Sequence, residues 1–305
     1  MTKIRIGTRK SKLALRQAEL VQSKLSLPSE LVTFDTKGDL AIDSPLFAIG
    51  SKGLFTAELE EALKSGEINL AVHSLKDLPT SENSELPLVA ITERESAYDC
   101  LVLRDKIGGD YRSLADLPVG TILGTSSLRR RAFLKHHHLG LEFHSLRGNI
   151  ETRLRKISEG VDGIAGGVMA YAGLRRLDKE QEIICLISPE ICLPAPGQGA
   201  LAIQANLSRI TVELKEALKE INHPQSAALT GAERASLRAI EGGCLTPFGA
   251  LAELVEREHF RLSIALANPD GSDYRKATVE GKLTDAEKIG FDLGLSLKGD
   301  HHAYT

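Results

Sequence analysis

Three clusters of hydroxyl and basic side chains each follow a short apolar run that predicts a β-strand. Residues 8–11 (Thr-Arg-Lys-Ser) follow the first predicted strand, residues 73–77 (His-Ser-Leu-Lys-Asp) the third, and residues 125–130 (Thr-Ser-Ser-Leu-Arg-Arg) a later one. In an open α/β sheet, ligands bind beyond the carboxyl ends of the strands. Hydroxyls, free N–H groups at a helix start and guanidinium groups all bind anions. Any one cluster has a solvated polar cap as its alternative, but the three together predict an anion-binding site.

Arginine is concentrated in the middle of the chain. Eight of the 20 arginines lie between residues 129 and 176, although the formal net charge of the protein is −3. Arg147 follows a predicted strand, and Arg153 lies inside the helix predicted after it. The planar guanidinium donates two parallel hydrogen bonds to a carboxylate or a phosphate. Arginines that converge from several loops therefore predict a ligand with several acidic groups.

Two further residues have side chains suited to direct participation in a reaction. Asp77 is the acidic member of a basic neighbourhood, where a carboxylate can transfer protons or stabilise a cation. Its structural alternatives are an ion pair with Lys76 and a turn cap. Cys244 follows two glycines in a loop between a predicted helix and a predicted strand, which makes it a candidate nucleophile. The remaining cysteines lie in apolar segments and are predicted to be core thiols: Cys100, Cys185 and Cys192.

Composition and local patterns argue against several other functions. The cysteines form no Cys-x-x-Cys pair, and the three consecutive histidines 136–138 predict a solvated helix end rather than a metal site. No glycine-rich segment matches a nucleotide-binding loop. The acidic net charge and an aromatic content of 4% without Trp argue against nucleic acid as a partner. No apolar run reaches the ~18–20 residues of a membrane span, and none resembles a secretory signal, so a cytoplasmic protein without a membrane partner is predicted.

The elements that must position these residues alternate between strands and helices. In the first ninety residues, a helix is capped by Ser11, a second helix ends at Gly66, and strands are predicted at 4–7, 31–34, 68–72 and 88–91. The pattern restarts after residue 97, with strands predicted at 100–103, 121–124, 142–146 and 163–165. Such alternation predicts parallel or mixed sheets covered by helices.

The order of predicted helices and strands changes after the Pro/Gly-rich segment at 194–199. Two helices and a final one are predicted at 211–221, 226–240 and 284–298, around strands at 248–256, 259–267 and 274–281. The sequence thus predicts two α/β domains and a smaller C-terminal α+β domain. The expected bounds are 1–95 plus about 196–210 for the first domain, 96–195 for the second and 211–305 for the third.

Several motifs together resemble the porphobilinogen deaminase family, whose members are also called hydroxymethylbilane synthases. The motifs occur in family order at residues 7–15, 53–55, 73–79, 124–130, 145–149, 172–176, 193–199 and 241–244. The resemblance implies a transferase that condenses four porphobilinogen molecules head to tail, releases ammonia at each step and finally releases hydroxymethylbilane by hydrolysis. It also implies a monomer with two domains like those of periplasmic binding proteins, an active site in the cleft between them and a third domain that carries a cofactor cysteine.

The resemblance assigns roles to individual residues. Asp77 matches the family's catalytic aspartate, and Cys244 matches the cysteine that holds a dipyrromethane cofactor through a thioether. Other positions match those that hold the acetate and propionate groups of cofactor and substrate: Arg9, Ser11, Lys52, Ser74, Lys76, Thr125, Ser127, Arg129, Arg130, Arg147, Arg153 and Arg176. The choice between Arg175 and Arg176 is open at this point, because the stretch at 163–172 looks longer than in the family.

A second function fits the same cleft. A non-catalytic receptor for a polycarboxylate or another anion would account for the arginines and would leave Cys244 as a spectator. It would give no role to Asp77 or to the Gly-Gly-Cys loop. The enzyme is therefore the favoured interpretation.

Overall fold

The computed structural model describes residues 3–36, 56–81, 83–104, 109–137, 140–242 and 246–298. The strands in these ranges are β1 (Ile4–Arg9), β2 (Ser29–Phe34), β3 (Leu70–Ser74), β4 (Leu88–Ile91), β5 (Asp99–Leu103), β6 (Ile122–Gly124), β7 (Glu142–His144), β8 (Gly166–Ala170), β9 (Ile183–Ile187), β10 (Leu201–Gln204), β11 (Phe248–Glu256), β12 (His259–Leu266) and β13 (Arg275–Lys282). The α-helices are α1 (Lys12–Lys24), α2 (Ala57–Ser65), α3 (Leu128–His136), α4 (Ile150–Glu159), α5 (Tyr171–Arg176), α6 (Val212–Ile221), α7 (Pro224–Ala239) and α8 (Ala286–Lys298).

The first two sheets share one topology. Their strand orders are β2-β1-β3-β10-β4 and β7-β6-β8-β5-β9. In each sheet three parallel strands are followed by one antiparallel strand, which is β10 in the first and β5 in the second, and then by an outer strand. The chain enters β5 and β10 directly after it leaves the other sheet. The segments 92–98 and 188–200 therefore connect the two sheets.

The C-terminal unit is an antiparallel sheet, β11-β12-β13, packed against α7 and α8. Alternate residues of β12 point into its core, where Phe260, Leu262 and Ile264 are fully buried. The two helices approach closely because Gly290 faces α7, where a Cβ atom would lie 2.1 Å from the Ala232 carbonyl oxygen. The predicted fold class, two α/β domains and a smaller α+β domain, is confirmed. No helix within the described ranges is long and apolar enough to cross a membrane.

Local sequence signals place several element ends correctly. The Ser11 hydroxyl caps α1 by accepting a hydrogen bond from the Ala14 N–H group at 3.3 Å. Helix α2 ends at Gly66, whose φ of 80° is the left-handed conformation expected of a residue that closes a helix. Strand β3 was predicted less well: it spans Leu70–Ser74, two residues later at each end than the predicted 68–72, so His73 and Ser74 lie within the strand rather than after it.

The strand predicted at 163–165 is wrong. Residues 161–163 are not extended, because Asp162 and Gly163 have φ values of 54° and 75° in the left-handed region, which turn the chain away from strand geometry. The strand β8 begins three residues later, at Gly166. Two strands had no prediction, since β9 is a half-exposed edge strand and β10 is a buried run of four residues.

Candidate active site

A cavity of about 580 Å³ lies between the first two sheets, beyond the carboxyl ends of β1, β3 and β8. Among its described lining residues are two carboxylates, Asp35 and Asp77. The basic side chains that line it are Arg9, Lys10, Lys76, Arg130, Arg147, Arg153 and Arg176. Lys10 and Asp35 form an ion pair with each other. The remaining excess of cations around Asp77 fits a ligand with several carboxylates.

Two helices direct their N-termini at this cavity. Ser11 caps α1, and the Asn149 side chain caps α4 by accepting a hydrogen bond from the Thr152 N–H group at 2.8 Å. Both capping residues line the cavity. The N-terminus of a helix carries partial positive charge and unpaired N–H groups, so both helices add to the attraction of the basic side chains for anions.

A second cavity of about 250 Å³ adjoins the first on the side of the C-terminal unit. The two cavities share four lining residues: Lys76, Asp77, Arg130 and Gln198. Gly242 and Thr246 line the second cavity and flank residues 243–245. Cys244 itself lies outside the described residues, as does Lys52. The described ends of the Cys244 loop thus border a space that is continuous with the Asp77 site.

A buried ionic cluster anchors the basic helix α3. Asp99 is fully buried and accepts hydrogen bonds from Arg129 at 2.9 Å, Arg130 at 2.7 Å and Gln198 at 2.8 Å. Burial opposes ionisation, but the two guanidinium groups hold the pKa of Asp99 well below its ordinary range. Arg130 lines both cavities, whereas Arg129 lines only the second. Asp99 therefore fixes the arginine that faces the larger cavity.

Arg153 and Arg176 face the first cavity from the second domain. The Arg153 Nε group donates a hydrogen bond to the Gly148 carbonyl at 2.7 Å, and Arg176 Nη2 donates one to the Gly199 carbonyl at 2.5 Å. Burial lowers the pKa of each guanidinium to about 10. Both side chains are therefore cationic at neutral pH, and both are held in place by backbone carbonyls.

The structure separates Arg176 from its neighbour Arg175. Arg175 is exposed and pairs with Glu95 at 3.2 Å and with Glu180 at 3.8 Å. It does not line either described cavity, whereas Arg176 lines the first. Of the two residues, only Arg176 is therefore placed to contact a ligand there.

Lys76 lies where the two cavities meet. It is half-buried, and its amino group donates a hydrogen bond to Gln198 Oε1 at 3.1 Å. Burial lowers the pKa of Lys76 to about 8, although the adjacent Asp77 carboxylate opposes this shift. Gln198 in turn donates hydrogen bonds to Asp99 and to the Ala97 carbonyl at 2.6 Å. A single amide thus connects the Lys76–Asp77 turn of the first domain to the buried cluster of the second.

The predicted binding residues that the structure describes, all but Lys52, divide into three groups. Those that line the first cavity are Arg9, Ser11, Ser74, Lys76, Arg130, Arg147, Arg153 and Arg176. Ser127 and Arg129 line only the second cavity. Thr125 is buried and lines neither; its hydroxyl accepts a hydrogen bond from the Ser127 N–H group at 3.3 Å, at the start of α3.

Sequence reasoning missed three polar residues of the site. Gln17 is buried on α1 and donates a hydrogen bond to Ser74 at 2.9 Å, and Gln198 and Asp99 form the contacts described above. An uncharged amide carries no strong signal for anion binding in a sequence. Gln198 follows the Pro/Gly-rich segment, but its partners are 99 and 122 residues away along the chain. The only signal for Asp99 was its position directly before the strand predicted at 100–103.

Within the described ranges, no group of three or more His, Cys, Asp or Glu side chains is arranged to hold a metal ion. His136 stacks on Tyr274 with ring centroids 4.1 Å apart. Helix α3 ends at His136, as predicted, but the His136 ring is only half-exposed, because it packs against Tyr274 of the C-terminal unit.

Comparisons with known proteins agree with the motifs. Residues 4–213 match the family description "Porphobilinogen deaminase, dipyromethane cofactor binding domain", and residues 227–299 match "Porphobilinogen deaminase, C-terminal domain". Among solved structures, a TRAP periplasmic solute binding protein from Desulfovibrio salexigens aligns with a TM-score of 0.39 at 13% identity over 74% of each chain. Protein PG110 from Staphylococcus aureus aligns with a TM-score of 0.41 at 11% identity, over 95% of this chain and 100% of its own.

Curated relatives carry one name. A porphobilinogen deaminase of Gloeobacter violaceus is 44% identical over 300 residues, which are 96% of this chain and 89% of that protein. A porphobilinogen deaminase of Pelotomaculum thermopropionicum is 43% identical over 299 residues, which are 96% of this chain and 93% of that protein. From these matches and from the cation-lined site around Asp77, we conclude that this chain belongs to the porphobilinogen deaminase family.

Proposed function

We propose that this protein is a hydroxymethylbilane synthase, a transferase that joins four porphobilinogen molecules head to tail with release of ammonia. The observation that carries the proposal is the position of Asp77 within a cavity whose described lining includes seven basic side chains, in a chain of this family. Each pyrrole of the substrate bears an acetate and a propionate, which the arginines suit. The enzyme name of the curated relatives favours this function over a non-catalytic anion receptor.

We further propose that Cys244 holds a dipyrromethane cofactor through a thioether. The described residues fit such a group, because the second cavity extends from the ends of the Cys244 loop to Asp77. Arg130 lines both cavities and Arg129 the second, so cations lie near any carboxylate along this path. When bound, the cofactor supplies the α-carbon of its terminal pyrrole as the nucleophile.

Asp77 performs the electrostatic and proton-transfer work in this proposal. It ends a 3-10 turn, Leu75–Asp77, and its exposed side chain lines both cavities. As ammonia leaves porphobilinogen, positive charge develops on the pyrrole system, and the Asp77 carboxylate stabilises it. The same carboxylate is suited to accept the α-proton that is lost after the new carbon–carbon bond forms.

The remaining basic residues bind and orient the acidic side chains. Arg147 and Arg153 approach from the second domain, whereas Arg9 and Lys76 approach from the first. Holding the carboxylates from both sides fixes the reacting pyrrole against Asp77, which lowers the entropic cost of the condensation. Charged hydrogen bonds from guanidinium groups also exclude neutral pyrroles as substrates.

Intact mass measured under denaturing conditions tests the covalent cofactor. The purified protein is expected to exceed its sequence mass by two condensed pyrrole units. The Cys244→Ser variant is expected to show the bare mass, and Cys185→Ser, which alters a thiol of the edge strand β9, is expected to keep the adduct. Absence of an adduct after incubation with porphobilinogen would contradict the role of Cys244.

Turnover of porphobilinogen tests Asp77. We expect Asp77→Ala to remain folded and to lose nearly all activity, because the developing cation loses its counter-charge. Asp110→Ala changes an exposed carboxylate that lines neither cavity and is expected to keep full activity. Substantial activity in Asp77→Ala would remove this residue from the catalytic role.

We also propose that the enzyme acts as a monomer in the cytoplasm, with no nucleic acid or membrane as partner. The family resemblance and the acidic net charge of −3 support this. Light scattering during gel filtration tests the oligomeric state, and a stable dimer at micromolar concentration would contradict it.

A further inference from the structure

The backbone that carries Asp77 has little regular structure of its own. Leu75–Asp77 form a single 3-10 turn, at whose end the Leu78 N–H group donates to the Leu75 carbonyl at 3.2 Å. The turn is joined to the first sheet at its start, where the Leu75 N–H group donates to the Ala200 carbonyl at 3.1 Å. Single 3-10 turns are weakly held by their own hydrogen bonds. Contacts from outside the turn must therefore define where the Asp77 carboxylate lies.

Arg234 of helix α7 supplies such contacts. Its Nη2 atom donates a hydrogen bond to the Pro79 carbonyl at 2.6 Å, and its Nη1 atom donates to the Leu78 carbonyl at 3.2 Å. Nη1 also lies 3.4 Å from the Leu75 carbonyl. Three carbonyls that flank Asp77 on both sides thus converge on one guanidinium, whose planar fork can hold them in a fixed arrangement. Arg234 also lines the second cavity beside Asp77.

Helix α7 is itself held firmly at this point. Glu233, the residue before Arg234, is fully buried and accepts two hydrogen bonds from Arg94, at 2.6 and 3.0 Å. The same carboxylate accepts N–H groups of Gly197 and Ala252, each at 2.8 Å. These partners come from both segments that connect the sheets and from the C-terminal sheet. The Arg234 guanidinium therefore projects from a rigid point in the fold.

Helix α7 also leads directly into the loop that bears Cys244. The helix ends at Ala239, and Gly242 on that loop lines the second cavity together with Arg234 and Asp77. Arg234 lies near the end of this helix and binds the Asp77 turn, so the helix links that turn to the segment that leads to Cys244. The spacing between the Asp77 turn and Gly242, the last described residue before Cys244, is then set by α7 rather than by the turn itself.

We propose that Arg234 is a positioning residue for Asp77. Its guanidinium holds the turn from Leu75 to Pro79 on helix α7, and so sets the position of the Asp77 carboxylate relative to a group carried on Cys244. This inference rests on the proposed function and adds to it a residue that acts through the backbone of the catalytic turn. The competing role, direct binding of a substrate carboxylate by Arg234, is an outcome that the test distinguishes.

Steady-state kinetics of Arg234→Gln, Arg234→Lys and a control provide the first test. We expect Arg234→Gln to lower kcat by at least about tenfold with KM changed less than about twofold, because a misplaced carboxylate weakens transition-state stabilisation while substrate binding persists. Arg234→Lys keeps a donor of similar reach and is expected to recover part of kcat. The control, Arg238→Gln, changes the arginine one turn later, which pairs with Glu287 of helix α8 at 2.7 Å and lines neither cavity, and it is expected to match the wild type.

Hydrogen exchange provides a readout that does not depend on turnover. In Arg234→Gln, the Leu78 amide is expected to exchange at least about tenfold faster, since its bond to the Leu75 carbonyl loses external support. Amides of strand β12 are the internal reference and are expected to remain unchanged. Intact mass is expected to show the same covalent adduct in the variant and the wild type.

The outcomes separate the alternatives. A raised KM with unchanged kcat in Arg234→Gln would assign Arg234 to direct substrate binding and overturn the inference. Loss of the covalent adduct in Arg234→Gln would also overturn it. Unchanged exchange together with wild-type kcat would also overturn it. A wild-type protein without adduct and without turnover would instead contradict the proposed function, while the exchange experiment would still decide whether Arg234 holds the turn. If Arg234→Gln does not fold, Arg234→Lys carries the same kinetic and exchange comparisons.

Discussion

The buried carboxylate of Asp99 offers a sharp test of how the site is held together. It is fully buried and accepts hydrogen bonds from Arg129 at 2.9 Å and Arg130 at 2.7 Å. The change Asp99→Asn preserves shape but replaces one acceptor oxygen by an NH₂ group. Whichever way the amide is oriented, one guanidinium then faces a donor, and both buried cations lose their counter-charge.

The expected loss of stability follows from this geometry. Breaking a buried ion pair by removing one partner costs about 3–5 kcal/mol, because an uncompensated charge is left in the interior. At about 2–4 °C per kcal/mol, the shift typical of cooperative units of 150–250 residues, that corresponds to a fall in Tm of roughly 6–20 °C. Arg130 also lines both cavities, so loosening it is expected to raise KM for the acidic substrate.

Thermal unfolding followed by circular dichroism measures the effect, with Asp110→Asn as the matched control. Asp110 pairs with Arg112 at 2.6 Å, but both side chains are largely exposed, so its neutralisation is expected to change stability by less than about 1 kcal/mol. Because the pKa of Asp99 is held below its ordinary range, its contribution is present above about pH 4 and is lost as pH falls further. The reasoning is refuted if Asp99→Asn unfolds within about 2 °C of the wild type at pH 7.

Three further predictions concern the basic side chains. Arg153→Gln is expected to raise KM for porphobilinogen roughly 10- to 150-fold, which is the equivalent of losing a charged hydrogen bond of about 1.5–3 kcal/mol. The control Arg155→Gln changes an exposed arginine that pairs with Glu159 on the same helix, and it should leave the kinetics unchanged. Equal effects of the two changes would contradict the site geometry. Arg176→Gln is expected to raise KM while Arg175→Gln does not, and steady-state assays of the pair decide it. Burial lowers the pKa of Lys76 to about 8, so its charge is lost as pH rises through that value and KM should increase above pH 8. In Lys76→Arg the charge persists, and KM should stay constant to about pH 9.5. If KM of this variant depended on pH as in the wild type, Lys76 would be excluded as the cause.

Much of the site could be predicted because its signals are local in the chain. The cap at Ser11 and the left-handed close of α2 at Gly66 depend on a few neighbouring residues, and both are found as expected. Because the carboxyl ends of parallel strands meet at one edge of a sheet, polar clusters that follow different strands are expected to lie close together. The rule predicts that Arg9 and Asp77 lie close together even when their partners are unknown, and both residues line the first cavity.

The orientation of neighbouring arginines was not predictable in the same way. Arg175 and Arg176 are adjacent on α5, yet one pairs with Glu95 on the outside and the other lines the cavity. Consecutive residues of a helix point about 100° apart, so the rotation of the helix against its sheet decides which one faces the ligand. That rotation depends on packing with distant segments.

The sequence by itself determined the chemical inventory of this protein: an isolated carboxylate among arginines, a Gly-Gly-Cys loop and the motifs that identify the family. Only the tertiary structure decided three contacts: the ion pair of Arg129 with Asp99, the hydrogen bond of Lys76 with Gln198 and the hydrogen bonds of Arg234 with the turn that carries Asp77. The physical reason is that these contacts join residues 30 to 159 positions apart in the chain. Local propensities carry no information about such partners, whose meeting depends on how whole sheets and helices pack.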